Sequence, residues 1–112
     1  MTRTAGRLLR VHMGENDRYR GRPLHEEVVA RCRAAGADMA VVYRGVEGYG
    51  ASTLVRRRGL FGRSSDAPIV VTILAVEEAM QALEPALDEI VDEGLIAAST
   101  IEIIRFERRD PA

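Results

Sequence analysis

Residues 39–76 read MAVVYRGVEGYGASTLVRRRGLFGRSSDAPIVVTILAV, and this stretch decides the fold. Met39 to Tyr43 is an unbroken apolar run of the kind a central strand needs. Ile69 to Val76, IVVTILAV, introduced by Pro68, is the strongest strand signal in the chain. Between them, Arg44 to Asp66 matches neither a strand nor a tight turn. Compact domains seldom carry so long a connection unless it works or is disordered. It holds five arginines and five glycines and no proline. Glycine opens the backbone to unusual conformations and exposes its amides, and arginine offers a planar fork to phosphate or carboxylate. Such a loop on a small scaffold points to binding or signalling.

Working outward, Leu9, Val11 and Met13 alternate with Arg10 and His12, which predicts a first strand over Leu8 to Met13, ending at Gly14. Glu15 to Arg22 is a polar connection rich in turn formers. Pro23 suits a first helical position, where its missing N–H is no loss. Leu24, Val28, Cys32 and Ala35 then recur at helical spacing, with Val29 beside them, and Gly36 closes the helix. A second helix is predicted over Glu77 to Glu93, with Met80, Leu83, Leu87, Ile90 and Val91 as its apolar stripe. Glu77 and Glu78 stand at the end where the helix dipole favours acids. Pro85 lies inside it and predicts a bend or break near Leu83–Glu84. Gly94 ends this helix, and Ile101 to Phe106 forms the last strand. The tail ERRDPA is polar and expected to fray.

The order β-α-β-loop-β-α-β predicts an α+β, ferredoxin-like βαββαβ fold. Its four-stranded antiparallel sheet carries both helices on one face, with the long loop between the second and third strands. The chain of 112 residues fits a single domain, 1–112. Strands two and three are apolar on both sides, so the helix-free sheet face predicts an oligomer.

Bulk composition narrows the function. Net charge is −1, so nothing global draws the chain to nucleic acid or anionic lipid. All 16 basic residues are arginine, which rules out chemistry that needs a lysine. The lone Cys32 excludes an internal disulfide and fits a cytoplasmic setting. No run is long enough for a signal peptide or a membrane span. His12 and His25 stand apart from other ligand types, so no metal site is expected, and Cys32 lies on the apolar stripe of the first helix. Glu15 and Asp17 flank a polar turn. They read as turn formers, with a carboxylate pair for acid–base chemistry as the alternative. Ser52 and Thr53 have no base partner. Arg56, Arg57 and Arg58 form a basic run without interleaved aromatics; it suits an acidic or membrane-embedded partner better than nucleic acid. No catalytic residue emerges, and the chain is not read as an enzyme.

The segments GENDR (14–18), GRPL (21–24) and RGVEGYGAS (44–52) resemble the bacterial family called domain of unknown function one-ninety, over about Leu8 to Phe106. That family is similar to the PII signalling proteins. The resemblance implies a ferredoxin-like homotrimer that binds a small anionic ligand, an adenine nucleotide acting as a regulator rather than a cofactor, in clefts between subunits. It also implies a loop that reshapes to touch a partner. By family association, that partner is a membrane transporter, the fluoride exporter. The turn where the PII loop leaves its strand has its counterpart in Arg44, Gly45, Glu47 and Gly48. Arg105 and Arg108 match in role the arginines that neutralise phosphate, and Arg109 stands beside them. GLIAAST at 94–100, expected before the last strand, departs from the PII pattern with one glycine and no lysine. Tyr49, Arg56, Arg57, Arg58 and Phe61 are the residues expected to touch the partner. A ligand-free interaction module docking on a transporter is the alternative reading.

Overall fold

The computed structural model describes residues 1–48 and 66–110. Its elements run β1 (Thr2–Gly14), β2 (Arg18–Tyr19), β3 (Arg22–Pro23), α1 (Leu24–Ala35), β4 (Met39–Arg44), β5 (Pro68–Val76), α2 (Glu77–Ile90) and β6 (Leu95–Arg105). The main sheet is antiparallel with order β4-β5-β1-β6. This is the α+β, ferredoxin-like arrangement, with a two-stranded β2–β3 hairpin added. Among the described residues, no helix is long and apolar enough to cross a membrane.

Register decides which side of the sheet is covered. Leu9 pairs with Ile73, Val11 with Val71 and Met13 with Ile69, and all six are buried against the helices. Helix α1 contributes Leu24, Val28 and Cys32 to this core, and α2 contributes Ala79, Met80, Leu83, Leu87 and Ile90. Each such aliphatic side chain, fully withdrawn from water, contributes on the order of 1.5–3 kcal/mol. Burial also pushes the Cys32 thiol up to about 11, as expected of a core cysteine. The alternate positions of the same strands line the other face. There Val41 pairs with Thr72 and Tyr43 with Val70, no helix covers them, and Val41 and Tyr43 are exposed.

Several expected boundaries move. Strand β1 begins at Thr2 rather than Leu8, and β6 at Leu95 rather than Ile101, so GLIAAST lies within the last strand and not before it. The two strands pair over eleven positions, from Thr2↔Arg105 to His12↔Leu95, whereas β1 meets β5 only from Gly6 onward. The polar stretch 15–22 holds the β2–β3 hairpin, whose turn residues Arg20 and Gly21 both have positive φ (50° and 81°). Two left-handed residues form the turn whose twist suits adjacent strands. Pro23 flanks α1 as its N-cap, and Gly36 closes that helix as expected. Helix α2 runs unbroken through Pro85 but stops at Ile90, before Gly94, because Val91 turns extended (φ −98°, ψ 106°).

The free end of the β1–β6 ribbon does not lie flat. Arg105 Nη2 stands 2.5 Å from Asp38 Oδ1, just ahead of β4. Strands β5 and β1 separate β4 from β6, so the ribbon must lean across the end of β5. Gly6 makes this possible. A Cβ there would stand 2.6 Å from Ile103 Cδ1 and 2.7 Å from the carbonyl oxygen of Ala75.

Candidate functional site

The neighbouring segments GENDR and GRPL meet RGVEG, twenty residues further on, at one end of the sheet. Strand β1 ends at Gly14, and the next residues fold back in a turn. Asp17 donates its N–H to the Gly14 carbonyl (3.1 Å), and its carboxylate accepts the Gly14 N–H (2.9 Å). The Asp17 carbonyl accepts the N–H of Leu24 (2.8 Å), tying GRPL to the same turn. Asp17 is therefore spent on the turn, as the sequence suggested.

Glu15 is held differently. Its N–H donates to the carbonyl of the buried Ala67 (2.8 Å), and the next N–H, of Asn16, donates to the Asp66 carboxylate (2.7 Å). These bonds dock GENDR on the strand that re-enters from the long connection. The Glu15 carboxylate then meets Arg44, the last residue of β4, with Nε to Oε2 at 2.9 Å and Nη2 to Oε1 at 3.2 Å. This two-pronged contact is the strong geometry of a guanidinium with a carboxylate. The Arg44 guanidinium holds the Glu15 carboxyl below the usual carboxylate range, and Glu15 in turn raises Arg44. His25, on the first turn of α1, adds a weaker pull on Glu15. Its Nδ1 is a buried atom without a hydrogen-bond partner.

Gly45 closes the mouth of the connection. Its N–H donates to the Pro68 carbonyl (2.8 Å), and a Cβ there would stand 2.8 Å from Pro68 Cγ. Beyond it, Glu47 is exposed and Gly48 takes a left-handed φ of 143°. Arg44, Gly45, Glu47 and Gly48 thus form one group at the root of the connection. The expected partner-touching residues Tyr49, Arg56, Arg57, Arg58 and Phe61 lie outside the described residues.

Arg105 and Arg108 are elsewhere. Arg105 pairs with Asp38 ahead of β4, at the end of that strand opposite Arg44. Arg108 lies in the irregular tail after β6. A single chain therefore does not bring Arg105 to Arg44. Sequence reasoning missed both acidic partners, Glu15 for Arg44 and Asp38 for Arg105. The one available signal was that Glu15 and Arg44 each fall inside a specific family segment.

The surroundings of the turn are acidic on one side. A cavity of about 170 Å³ beside the turn is lined by Asp17, Asp92 and Glu93 together with Arg18, Leu24 and Ile90. Three carboxylates around this cavity disfavour an anion inside it.

The fold places the chain among PII-like structures. CPII of Thiomonas intermedia K12, a nitrogen regulatory PII-like protein, is similar over 93% of this chain and 92% of its own, with a TM-score of 0.58 at 14% identity, in a structure bound to ADP, AMP and bicarbonate. A second CPII structure, bound to ADP, AMP and acetate, covers 94% of each chain with a TM-score of 0.56 at 15% identity. A chain of Thermus thermophilus described as a PII-like signalling protein covers 93% of this chain and 94% of its own, with a TM-score of 0.58 at 12% identity. Residues 6–103 match the family DUF190, described as "Uncharacterized ACR", and the chain belongs to that family. A UPF0166 protein of Aquifex aeolicus is 32% identical over 100 residues, covering 88% of this chain and 92% of that one. A UPF0166 protein of Methanocaldococcus jannaschii is 24% identical over 102 residues, covering 90% and 94%.

Proposed function

We propose that this chain is a PII-like regulator that binds a small anionic ligand, an adenine nucleotide, at the interfaces of a homotrimer. Its long connection would pass the state of that site to a partner such as an ion transporter. One observation carries the reading: the three family segments meet where the connection leaves the sheet, GRPL through the Leu24 bond to Asp17 and GENDR through the Glu15 contact with the guanidinium of Arg44. Binding there would alter the geometry of Gly45 to Gly48, and so the path of everything between β4 and β5. Arg105 and Arg108, remote from Arg44 within one chain, would reach the ligand from a neighbouring subunit. The CPII structures bound to ADP and AMP make the nucleotide class the first to try. The expected absence of catalysis belongs to the same proposal.

Thermal unfolding against a panel of adenine nucleotides tests this directly. A ligand bound only by the folded state raises the melting temperature, by roughly 2.7 kcal/mol of added stability at a hundredfold excess over Kd. ADP, ATP or AMP should produce a rise that Arg44→Ala removes. A panel that leaves the melting temperature unchanged rejects the sensor. The ligand-free module is favoured by one observation, that Arg44 and Arg105 already have acidic partners within the chain. A flat panel, together with transporter binding that needs residues 49–65, would establish it instead.

A further inference from the structure

We infer that Glu15 is an internal competitor for the anion site: its carboxylate occupies the Arg44 fork in the place a ligand's phosphoryl oxygens must take. The inference rests on the proposed reading of this end of the sheet as an anion site, and adds the residue that sets its selectivity. Both prongs of Arg44 that face Glu15 are engaged, at 2.9 and 3.2 Å. A ligand that takes this Nε–Nη2 edge of the guanidinium must displace the Glu15 carboxylate from it.

The competitor is tethered and pre-aimed. Glu15 N–H is fixed to Ala67, and Arg44 is fixed by its ladder pairing with Ile69. A tethered group competes at a high effective concentration. A ligand offering only a carboxylate would gain nothing that Glu15 does not already supply. A phosphoryl group brings up to two charges and three acceptor oxygens, so it can displace one carboxylate from a guanidinium. Glu15 therefore selects phosphorylated ligands, and its release couples occupancy to the rest of GENDR.

The test is isothermal titration of ADP into the wild-type protein, Glu15→Gln, Arg44→Gln and the double variant. Glutamine keeps the size of the side chain and removes the charge, while the Glu15 backbone bond to Ala67 stays. Glu15→Gln should bind ADP roughly threefold or more tightly than wild type, the scale of one lost partly exposed ion pair. Arg44→Gln should bind more weakly, and in that background Glu15→Gln should bring no gain. Equal or weaker binding by Glu15→Gln overturns the competitor while leaving the anion site standing. A gain that survives in Arg44→Gln also overturns it, since simple repulsion by Glu15 would then explain the result. If no variant binds ADP and inorganic pyrophosphate fails as well, the anion site falls and the competitor with it.

Discussion

At the scale of single residues, the pairing of Glu15 with Arg44 makes stability depend on pH in a defined direction. The folded state holds the Glu15 carboxyl below its ordinary value of 4.5, chiefly through the Arg44 hydrogen bonds. A group whose folded value is depressed stabilises the fold above its unfolded value and loses that effect as pH falls through the folded one. Glu15→Gln should therefore lower the melting temperature near neutral pH by roughly 2–4 °C, the scale of a half-exposed ion pair in a small domain. The gap between the two proteins should close as pH drops below 4.5. Thermal unfolding followed by circular dichroism across that range measures it, and a gap that holds constant at acid pH means the charge is not its origin. The same substitution is expected to tighten ADP binding, so this residue would exchange stability for selectivity. The sequence made Glu15 visible, but beside Asp17 as a possible carboxylate pair. It could not show that Asp17 turns back to cap Gly14 while Glu15 reaches Arg44, because that choice is made by backbone bonds to Ala67 and Asp66.

At the scale of elements, apolar patterning was legible wherever an element has one buried side, and failed where it has none. Strand β5 alternates buried and half-buried along its whole length, and its boundaries were read to within one residue. Residues 2–5 of β1 and 95–100 of β6 are exposed at every position, so no alternation marks them as strand. Their evidence is the cross-strand ladder, which no local reading contains. Pro85 misled in the opposite sense. It predicts a break, yet α2 continues, because the buried Leu83, Leu87 and Ile90 fix the helix on both sides of it. Ion pairs from other elements reinforce that hold. Arg7 of β1 reaches Glu77 (3.1 Å) and Glu84 (3.2 Å), and Arg31 of α1, steadied by Glu27 of its own helix (2.9 Å), reaches Glu89 (2.5 Å). Arg31 also lies 5.7 Å from the Tyr19 ring, linking the β2–β3 hairpin to both helices. A helix held this firmly still lacks the bond that proline cannot make. Pro85 is exposed, so Pro85→Ala should restore that bond without disturbing the core, and stabilise the protein by roughly 1–3 kcal/mol. In urea the midpoint should rise with an unchanged slope. An unchanged or lower midpoint would mean that proline's stiffening of the unfolded chain outweighs the missing bond.

At the scale of the whole molecule, the sheet has one face under two helices and one face under none. The uncovered face carries Met39, Val41 and Tyr43 of β4, Val70, Thr72 and Leu74 of β5, and Leu8, Arg10 and His12 of β1, joined by the ladder into a continuous surface. Val41 and Tyr43 are exposed there, with Leu95 of β6 at the far edge. The largely apolar part of this surface, on β4 and β5, marks an interface. The proposed site requires that covering it with other copies of the chain bring the Arg105 end of one subunit to the Arg44 end of another. Assembly and ligand binding should therefore fail together when the face is spoiled. Val41→Arg places a charge on the apolar β4–β5 part of the face and touches none of the residues around Arg44, since Val41 pairs with Thr72 and points away from the helices. Burying that unpaired charge costs several kcal/mol, more than one subunit contact can absorb. Light scattering should give the wild type a mass about three times the 12.3 kDa of the chain, and Val41→Arg the mass of one chain. Circular dichroism should remain that of a folded α+β protein, and ADP should no longer raise the melting temperature. A wild-type protein that runs as a monomer removes the trimer. A monomeric Val41→Arg that still binds ADP with wild-type affinity would confine the site to one subunit and leave Arg105 without a part in it.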